Sequence, residues 1–359
     1  MTSNKKIGAL NIAVLYVGCM MGAGFASGRE TWQFFGVFDK WGIVGVGLFA
    51  IIILSIAFMT IYIANTLNTN DLGKIMIPEG HPGLEKLCGN LMAGMLSMVI
   101  ILMTSAGGAL LHQQFGLPSF VGGFIIVVLV LATVMGNFAR VSRVFKYVMP
   151  VLCVAMILTC LIVILTFDGP SRIPETFEIS PMTPNWIVST FLYVAYNVIG
   201  LIAIMATATI NSKGYNITKV GALLGGTAVG VLAMLILLTI RCDMVYTQGM
   251  DMPVLGYADS LSKVMGIIYT AILFCAIYST ATSNYYGFTT KIKDGPKKNM
   301  IVIVTAFVGY LLGLVGFKNI ISYLTPVIGY IGLIFIGLLV WNFITLYIKE
   351  HKHGKESLS

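Results

Sequence analysis

Residues 18–30 read Gly18-Cys19-Met20-Met21-Gly22-Ala23-Gly24-Phe25-Ala26-Ser27-Gly28-Arg29-Glu30, and the reading of this stretch decides the fold. It lies inside an apolar segment, residues 7–38. As one α-helix that segment would run about 48 Å, well beyond the ~30 Å hydrocarbon core of a bilayer. Each glycine in a helix interior costs about 1 kcal/mol relative to alanine, and two of them flank Ala23, so local unwinding is cheap there. The expectation is a membrane helix broken in mid-bilayer. The same glycines admit a second reading as helix-packing contacts, because Gly18/Gly22 and Gly24/Gly28 have GxxxG spacing.

The rest of the chain agrees with a membrane setting. Of 359 residues, 57% are hydrophobic and 10% charged, and the mean hydropathy is +0.91. Long, nearly uncharged apolar runs recur from end to end, which excludes a soluble fold with a single anchor and makes the lipid bilayer the main partner. A net charge of +8 could suit nucleic acid, but the placement of the basic residues accounts for it and no nucleic-acid partner is expected. The six cysteines, at 19, 88, 153, 160, 242 and 275, show no paired spacing; they read as small apolar fillers rather than a disulfide framework or metal site. Lys5 and Lys6 ahead of an apolar run imitate a signal peptide. Tyr16 and the glycines interrupt that run, however, and amphipathic helix continues through Trp32, Phe34 and Phe35.

Ten spans follow from the apolar runs and their boundaries, near 7–38, 42–66, 86–112, 118–137, 141–167, 185–211, 217–241, 262–290, 299–316 and 320–348. The fold class is therefore an all-α polytopic membrane protein. The segment Asp168–Pro184, with four prolines and three acidic residues, reads as an extracellular linker between two halves. With the N-terminus inside, sixteen of the 22 Lys and Arg fall on cytoplasmic segments and five on outer ones, the asymmetry of a multi-pass plasma-membrane protein with both termini cytoplasmic. Residues 1–167 then form a first five-helix unit and 185–348 a second of inverted topology, followed by a cytoplasmic tail, 349–359. The leading helix of the second unit carries Tyr196-Asn197-Val198-Ile199-Gly200 at mid-span, and a break is expected there too. Paired breaks of this kind mark the binding site in transporters with inverted repeats.

A broken helix presents free N–H groups suited to a carboxylate and free carbonyls suited to a cation. An amino acid zwitterion needs both. Met21, Gly22, Ala23, Gly24 and Phe25 would supply the first part of the site, and Tyr193, Ala195, Tyr196, Asn197 and Gly200 the second. On a straight helix Arg29 and Glu30 lie ~9 Å outward of Gly24, which reads as an outer gate pairing with another span, or as a solvated helix end. His112, with Gln113 and Gln114, reads as an interfacial cap.

At this point the residues resemble a family. The chain is similar to the amino acid, polyamine and organocation (APC) superfamily of transporters with the LeuT-type five-plus-five fold. More closely it resembles the YkvI-type amino acid permeases, whose first span carries the Gly-Ala-Gly-Phe-Ala-Ser-Gly-Arg-Glu string found here at 22–30. It ends after ten spans, where many relatives have two more. The resemblance implies helices 1 and 6 broken in mid-membrane and a sodium ion as coupling partner, with no other cofactor. That ion would lie among the carbonyls of Gly18, Met21 and Ala276 and the hydroxyls of Ser279 and Thr280. The span around Ala276–Asn284 is rich in hydroxyl and amide groups, although Ser and Thr also bond back to their own helix. Some proton-coupled relatives place a lysine at the middle of the fifth span; here Lys146 lies at its inner end, which favours sodium, while Glu30 keeps proton coupling open.

The function expected is secondary active transport of a small amino acid or related amine by alternating access, coupled to sodium. The alternatives are a proton-coupled permease and a nutrient-sensing subunit that keeps the transporter fold. An enzyme is not expected, as no nucleophile or metal-binding motif occurs in the spans.

Overall fold

The computed structural model describes residues 6–78, 81–136, 138–169, 171–293 and 295–356, the side chains of 138–149 and 351–356 excepted. The basic residues counted at Lys5, Arg140, Arg143, Lys146, Lys352 and Lys355 lie outside the described side chains. In chain order the helices are α1 (Ala9–Met20), α2 (Ala23–Ala26), α3 (Arg29–Phe34), α4 (Lys40–Thr66), α5 (Leu72–Met76), α6 (Pro82–Phe115), α7 (Ser119–Val134) and α8 (Phe138–Thr166). After the irregular segment around 168–184 come α9 (Trp186–Asn211), α10 (Tyr215–Arg241), α11 (Met244–Gly249), α12 (Pro253–Leu261), α13 (Lys263–Thr289), α14 (Lys298–Gly313), α15 (Phe317–Asn319) and α16 (Thr325–Glu356). A wide turn at Ile320–Leu324 joins the last two.

Among the described residues six helical stretches are long and apolar enough to cross a bilayer: α4, α6, α9, α10, α13 and Phe317–Glu350. Shorter apolar helices occur at Ala9–Met20, Ser119–Val134, Pro150–Thr166 and Lys298–Gly313. Helices suit this solvent because each satisfies its own backbone polar groups. Their outer faces carry large apolar side chains, Leu165 at 81% and Leu10 at 73% exposure among them, which only a lipid surface accommodates without cost.

The ends of the helices are tied in pairs. Ile7 exchanges backbone bonds with Asn211 and Lys213 at 3.0 and 3.1 Å, joining the start of α1 to the end of α9. Tyr62 and Thr66 at the end of α4 donate to Glu350 near the end of α16. At the opposite ends, Arg241 meets Asp39 at 2.8 Å, Arg172 pairs with Asp243, and Trp41 stacks on Trp186 with ring centres 5.5 Å apart. Segment 168–184 lies over that side, where Thr176 accepts a bond from Gln248 and Ser180 donates to the Ser322 carbonyl at 2.5 Å.

Two short helices, α11 and α12, stand where the hydropathy pattern shows only a loop. Asp243 caps α11 by accepting from the Tyr246 N–H at 3.0 Å, and Pro253 occupies the first turn of α12, where its missing N–H costs nothing.

One expectation is corrected. The helix of residues 185–211 is not broken: α9 runs unbroken through Ala195–Gly200. Asn197 bonds back to the Tyr193 carbonyl at 2.9 Å, and Gly332 of α16 packs onto the Ala195 carbonyl. One glycine and one self-satisfied asparagine cost about 1–2 kcal/mol in a helix interior. Packing against α4 and α16 on both flanks outweighs that.

Candidate functional site

The break in the first span is present, at Met21–Gly22 between α1 and α2. Met21 (φ −86°, ψ 68°) and Gly22 (φ −70°, ψ 170°) leave the helical region. The Gly22 N–H turns back to the Met20 carbonyl at 3.1 Å, and regular bonding resumes only with Ala26 N–H to Gly22. Among the described residues the carbonyls of Gly18, Cys19 and Met21 and the N–H groups of Ala23, Gly24 and Phe25 take part in no hydrogen bond. Buried peptide groups are nearly always paired. Here six of them stand together unpaired in the middle of a membrane helix.

A second bend follows at once. Gly28 has φ +80°, a left-handed conformation that favours glycine, and Ser27 steadies the turn by donating to the Gly24 carbonyl at 2.8 Å. The short α2 is clamped from two sides: Tyr269 of α13 donates to the Ala26 carbonyl at 2.6 Å, and the Val254 N–H of α12 to Ser27 at 3.0 Å.

This second bend moves Arg29 and Glu30 away from where a straight helix would put them. Glu30 is 3% exposed and its carboxylate lies directly over Gly24, so that a methyl group on Gly24 would overlap it. The carboxylate accepts from the Tyr193 hydroxyl at 3.1 Å and the Tyr196 hydroxyl at 3.4 Å. Glu30 is thus part of the break rather than of an outer gate. Tyr193 is held in turn by the rings of Phe34, Phe35 and Phe49, with centres 4.9, 5.3 and 5.1 Å away. None of the ion pairs among the described residues involves Glu30.

Arg29 points elsewhere. Its guanidinium, 1% exposed, donates to the carbonyls of Gln248 and Met250 at 3.4 and 3.2 Å. Lys318 reaches the same chain turn, donating to Gln248 and Gly249 at 2.9 and 2.8 Å. Two cations thus converge on the carbonyl end of α11, where peptide dipoles favour positive charge. Gln113 of α6 joins that loop through both atoms of its amide, each 2.9 Å from Met252, and Gln114 bonds Asp259 at 3.2 Å. His112 bonds the Leu117 carbonyl at 2.9 Å, beyond the end of its own helix. Along α3, Arg29 Nε, Thr31 Oγ1, Trp32 Nε1 and Gln33 Nε2 are all buried without a partner among the described residues.

Exposure along α9 falls from Gly200, which is exposed, through half-buried Tyr196 and Asn197 to Tyr193 at 1%. Gly22 is half-buried and has no heavy atom within 4 Å of where a side chain would start. Gly200 faces the Cys19 thiol. The Met21 side chain turns toward α8, accepting a 3.0 Å contact from the Cys153 thiol. Gly18 borders an apolar groove of about 390 Å³ with Val17, Pro150 and Cys153.

The hydroxyls expected around sodium can be tested against self-bonding. Thr270, Thr289 and Thr290 of α13 and its C-cap do bond back to preceding carbonyls. The hydroxyls of Ser279 and Thr280 make no hydrogen bond among the described residues, and Thr282 Oγ1 is buried without a partner. Ala276 is fully buried, and α13 packs against α2. The donor set, unpaired carbonyls and unpaired hydroxyls on neighbouring helices, fits a small hard cation in kind.

No family model matches the chain. It is 25% identical over 341 residues to the uncharacterized membrane protein YkvI of Bacillus subtilis (strain 168), covering 94% of this chain and 96% of that one. It is 23% identical over 329 residues to the uncharacterized protein YyaD of the same organism, covering 89% and 92%. The likeness first visible at residues 22–30 thus extends along nearly the whole chain. The chain is similar to the YkvI-type membrane proteins from end to end. Among solved structures, the inward-facing conformation of Mhp1 matches with a TM-score of 0.63 at 14% identity, covering 95% of this chain and 78% of that one. Mhp1 is described as a nucleobase-cation-symport-1 family transporter. MhsT, solved in complex with L-phenylalanine, matches with a TM-score of 0.56 at 15% identity over 91% of this chain and 87% of that one. The fold is accordingly that of Mhp1 and MhsT, the LeuT type, and the chain is a multi-pass membrane protein.

Proposed function

We propose that this protein is a secondary active transporter that carries a small amino acid or related amine across the plasma membrane by alternating access, coupled to sodium. Its ten spans would form two inverted five-helix units with both termini cytoplasmic. The observation that carries the reading is the set of unpaired N–H and carbonyl groups at residues 18–25, where α1 gives way to α2. Such groups are retained where a solute or ion completes their bonding. The YkvI likeness and the transporter fold support it, and MhsT with bound L-phenylalanine supports an amino acid as the solute class.

In this reading the N–H groups of Ala23, Gly24 and Phe25 receive the carboxylate end of the solute, and open space at Gly22 admits it. Tyr193 and Tyr196 line the other wall through their side chains. Gly200 borders the access route, whereas Ala195 and Asn197 serve packing. Sodium, as co-substrate, would be held by the carbonyls of Gly18, Met21 and Ala276 and the hydroxyls of Ser279 and Thr280. Arg29, fastened to the α11 carbonyls, would release that loop when the site opens outward. Proton coupling is the second reading, favoured by one observation, the buried carboxylate of Glu30, which has no ion-pair partner among the described residues.

The test is uptake of labelled amino acids into proteoliposomes under an imposed sodium gradient, a proton gradient, or neither. Accumulation that requires the sodium gradient supports the proposal, and accumulation that follows only the proton gradient selects the second reading. Saturable binding without flux under any gradient would replace transport by sensing.

A further inference from the structure

Glu30 is a buried carboxylate in the first turn of α3 whose only partners among the described residues are two hydroxyls. Removing an ionised carboxylate from water without a counter-charge is among the most costly arrangements a protein can hold, and intramembrane acids are kept with a partner or as part of a ligand path. Among the described residues, three cations of this half of the fold are committed elsewhere. The left-handed turn at Gly28 sends Arg29 away, onto the Gln248 and Met250 carbonyls. Lys318 is fastened to the same loop, and Arg241 to Asp39. From α9 the groups facing Glu30 are Tyr193 and Tyr196, both neutral donors.

A carboxylate offers about four lone-pair directions, and the hydroxyls take two. The carboxylate lies against Gly24, whose N–H is unpaired together with those of Ala23 and Phe25. The break therefore presents a negative group and a cluster of donors within the reach of one small molecule. A bare carboxylate arriving there would be repelled by Glu30. A zwitterion would place its ammonium on Glu30 and its carboxylate on the N–H groups. The tyrosine rings, with centres 6.3 Å apart, add aromatic surface beside the charge, which suits an organic cation.

Resting on the transport reading above, we infer that Glu30 is the counter-charge for the solute's ammonium group: the site selects amino acids and primary amines and rejects the corresponding carboxylic acids. Selectivity for the amine end then comes from a side chain of the first span rather than from helix carbonyls alone.

The test uses the full-length protein purified in detergent and matched sets of three probes sharing one side chain. Leucine, isopentylammonium and 4-methylpentanoate form one set, and the alanine and phenylalanine equivalents form two more. Binding is read from the shift of the thermal unfolding midpoint with probe concentration. In at least one set the amino acid and the ammonium should stabilise the wild type while the acid does not, and Glu30→Gln should weaken the first two at least tenfold. An acid that stabilises as well as its amino acid overturns the inference, as does ammonium binding unchanged in Glu30→Gln or no ammonium binding in any set. The three-probe comparison in the wild type stands even if that variant does not fold. Flux measured in parallel separates the two claims. Ammonium-selective binding without flux removes transport but keeps the role of Glu30, whereas flux that ignores the amine removes the role of Glu30 and keeps transport.

Discussion

Replacing Gly24 by alanine puts a methyl group where the Glu30 carboxylate lies. The side chain of Glu30 must then move, because the α2 backbone is fixed by Tyr269 and Val254 and cannot retreat. Moving it breaks or lengthens the bonds from Tyr193 and Tyr196. Hydrogen bonds to a charged group are worth roughly 1.5–3 kcal/mol each, so losing one to both costs roughly 1.5–6 kcal/mol, or at least a tenfold loss of solute affinity. Gly22→Ala is the matched control for stability. Gly22 has φ −70° and nothing within 4 Å of a Cβ, so alanine fits there and leaves the unfolding midpoint at or above that of the wild type, by up to about 1 kcal/mol. Both variants are measured by thermal unfolding and by uptake in proteoliposomes. Gly24→Ala should lower the midpoint and abolish or strongly weaken uptake, whereas Gly22→Ala should lower uptake alone. A Gly24→Ala protein with wild-type midpoint and wild-type uptake would refute the placement of Glu30 against Gly24.

The two tyrosines should differ: Tyr193→Phe, which loses the 3.1 Å bond inside a tight aromatic cluster, should weaken binding by about tenfold, and Tyr196→Phe, which loses a 3.4 Å bond, by less, read from concentration-dependent uptake. Ser279→Ala should raise the sodium concentration for half-maximal uptake by about tenfold, the equivalent of one bond to a cation, and leave the midpoint without sodium unchanged. Between α12 and the start of α13, the bond from Lys263 to Asp259 at 2.6 Å holds the Asp259 carboxyl below its usual value of 3.8. A depressed carboxylate contributes stability above its unfolded value that is lost as pH falls through the folded one. Asp259→Asn should therefore cost less than ~1 kcal/mol near neutral pH, as exposed pairs do, and nothing well below pH 3.8, measured by thermal unfolding across the acid range.

The break at Met21–Gly22 was legible because glycine spacing and segment length point to it together: a 7–38 helix is too long for the bilayer, and Gly22 and Gly24 lie at its middle. The six long spans were legible from hydropathy. The break expected at Ala195–Gly200 was not formed, because the cost of Asn197 and Gly200 is small beside the packing of α9 between α4 and α16, and packing is not visible in a single segment. Glu30 was placed outward by counting along a straight helix. Gly28, already conspicuous as the fourth glycine, carries the left-handed turn that folds Glu30 back onto Gly24. The partners of Arg29 could not be read at all, since Gln248 and Met250 lie more than two hundred positions away in sequence. Along α13, the hydroxyls of Ser279 and Thr280 lack the bonds to their own helix that Thr270 and Thr289 make, a difference composition does not show.

The central claim is that the solute sits at the unpaired peptide groups between α1 and α2. Gly22→Cys, in a chain whose native cysteines are replaced by serine or alanine, places a thiol in the open space there. The rate of its alkylation by a membrane-permeant reagent is measured with and without the transported amino acid, and again with impermeant reagent applied to each side of oriented vesicles. The account predicts protection by the amino acid and access that changes side when the gradient is reversed. Alkylation at one unchanging rate, with or without the amino acid, would contradict it.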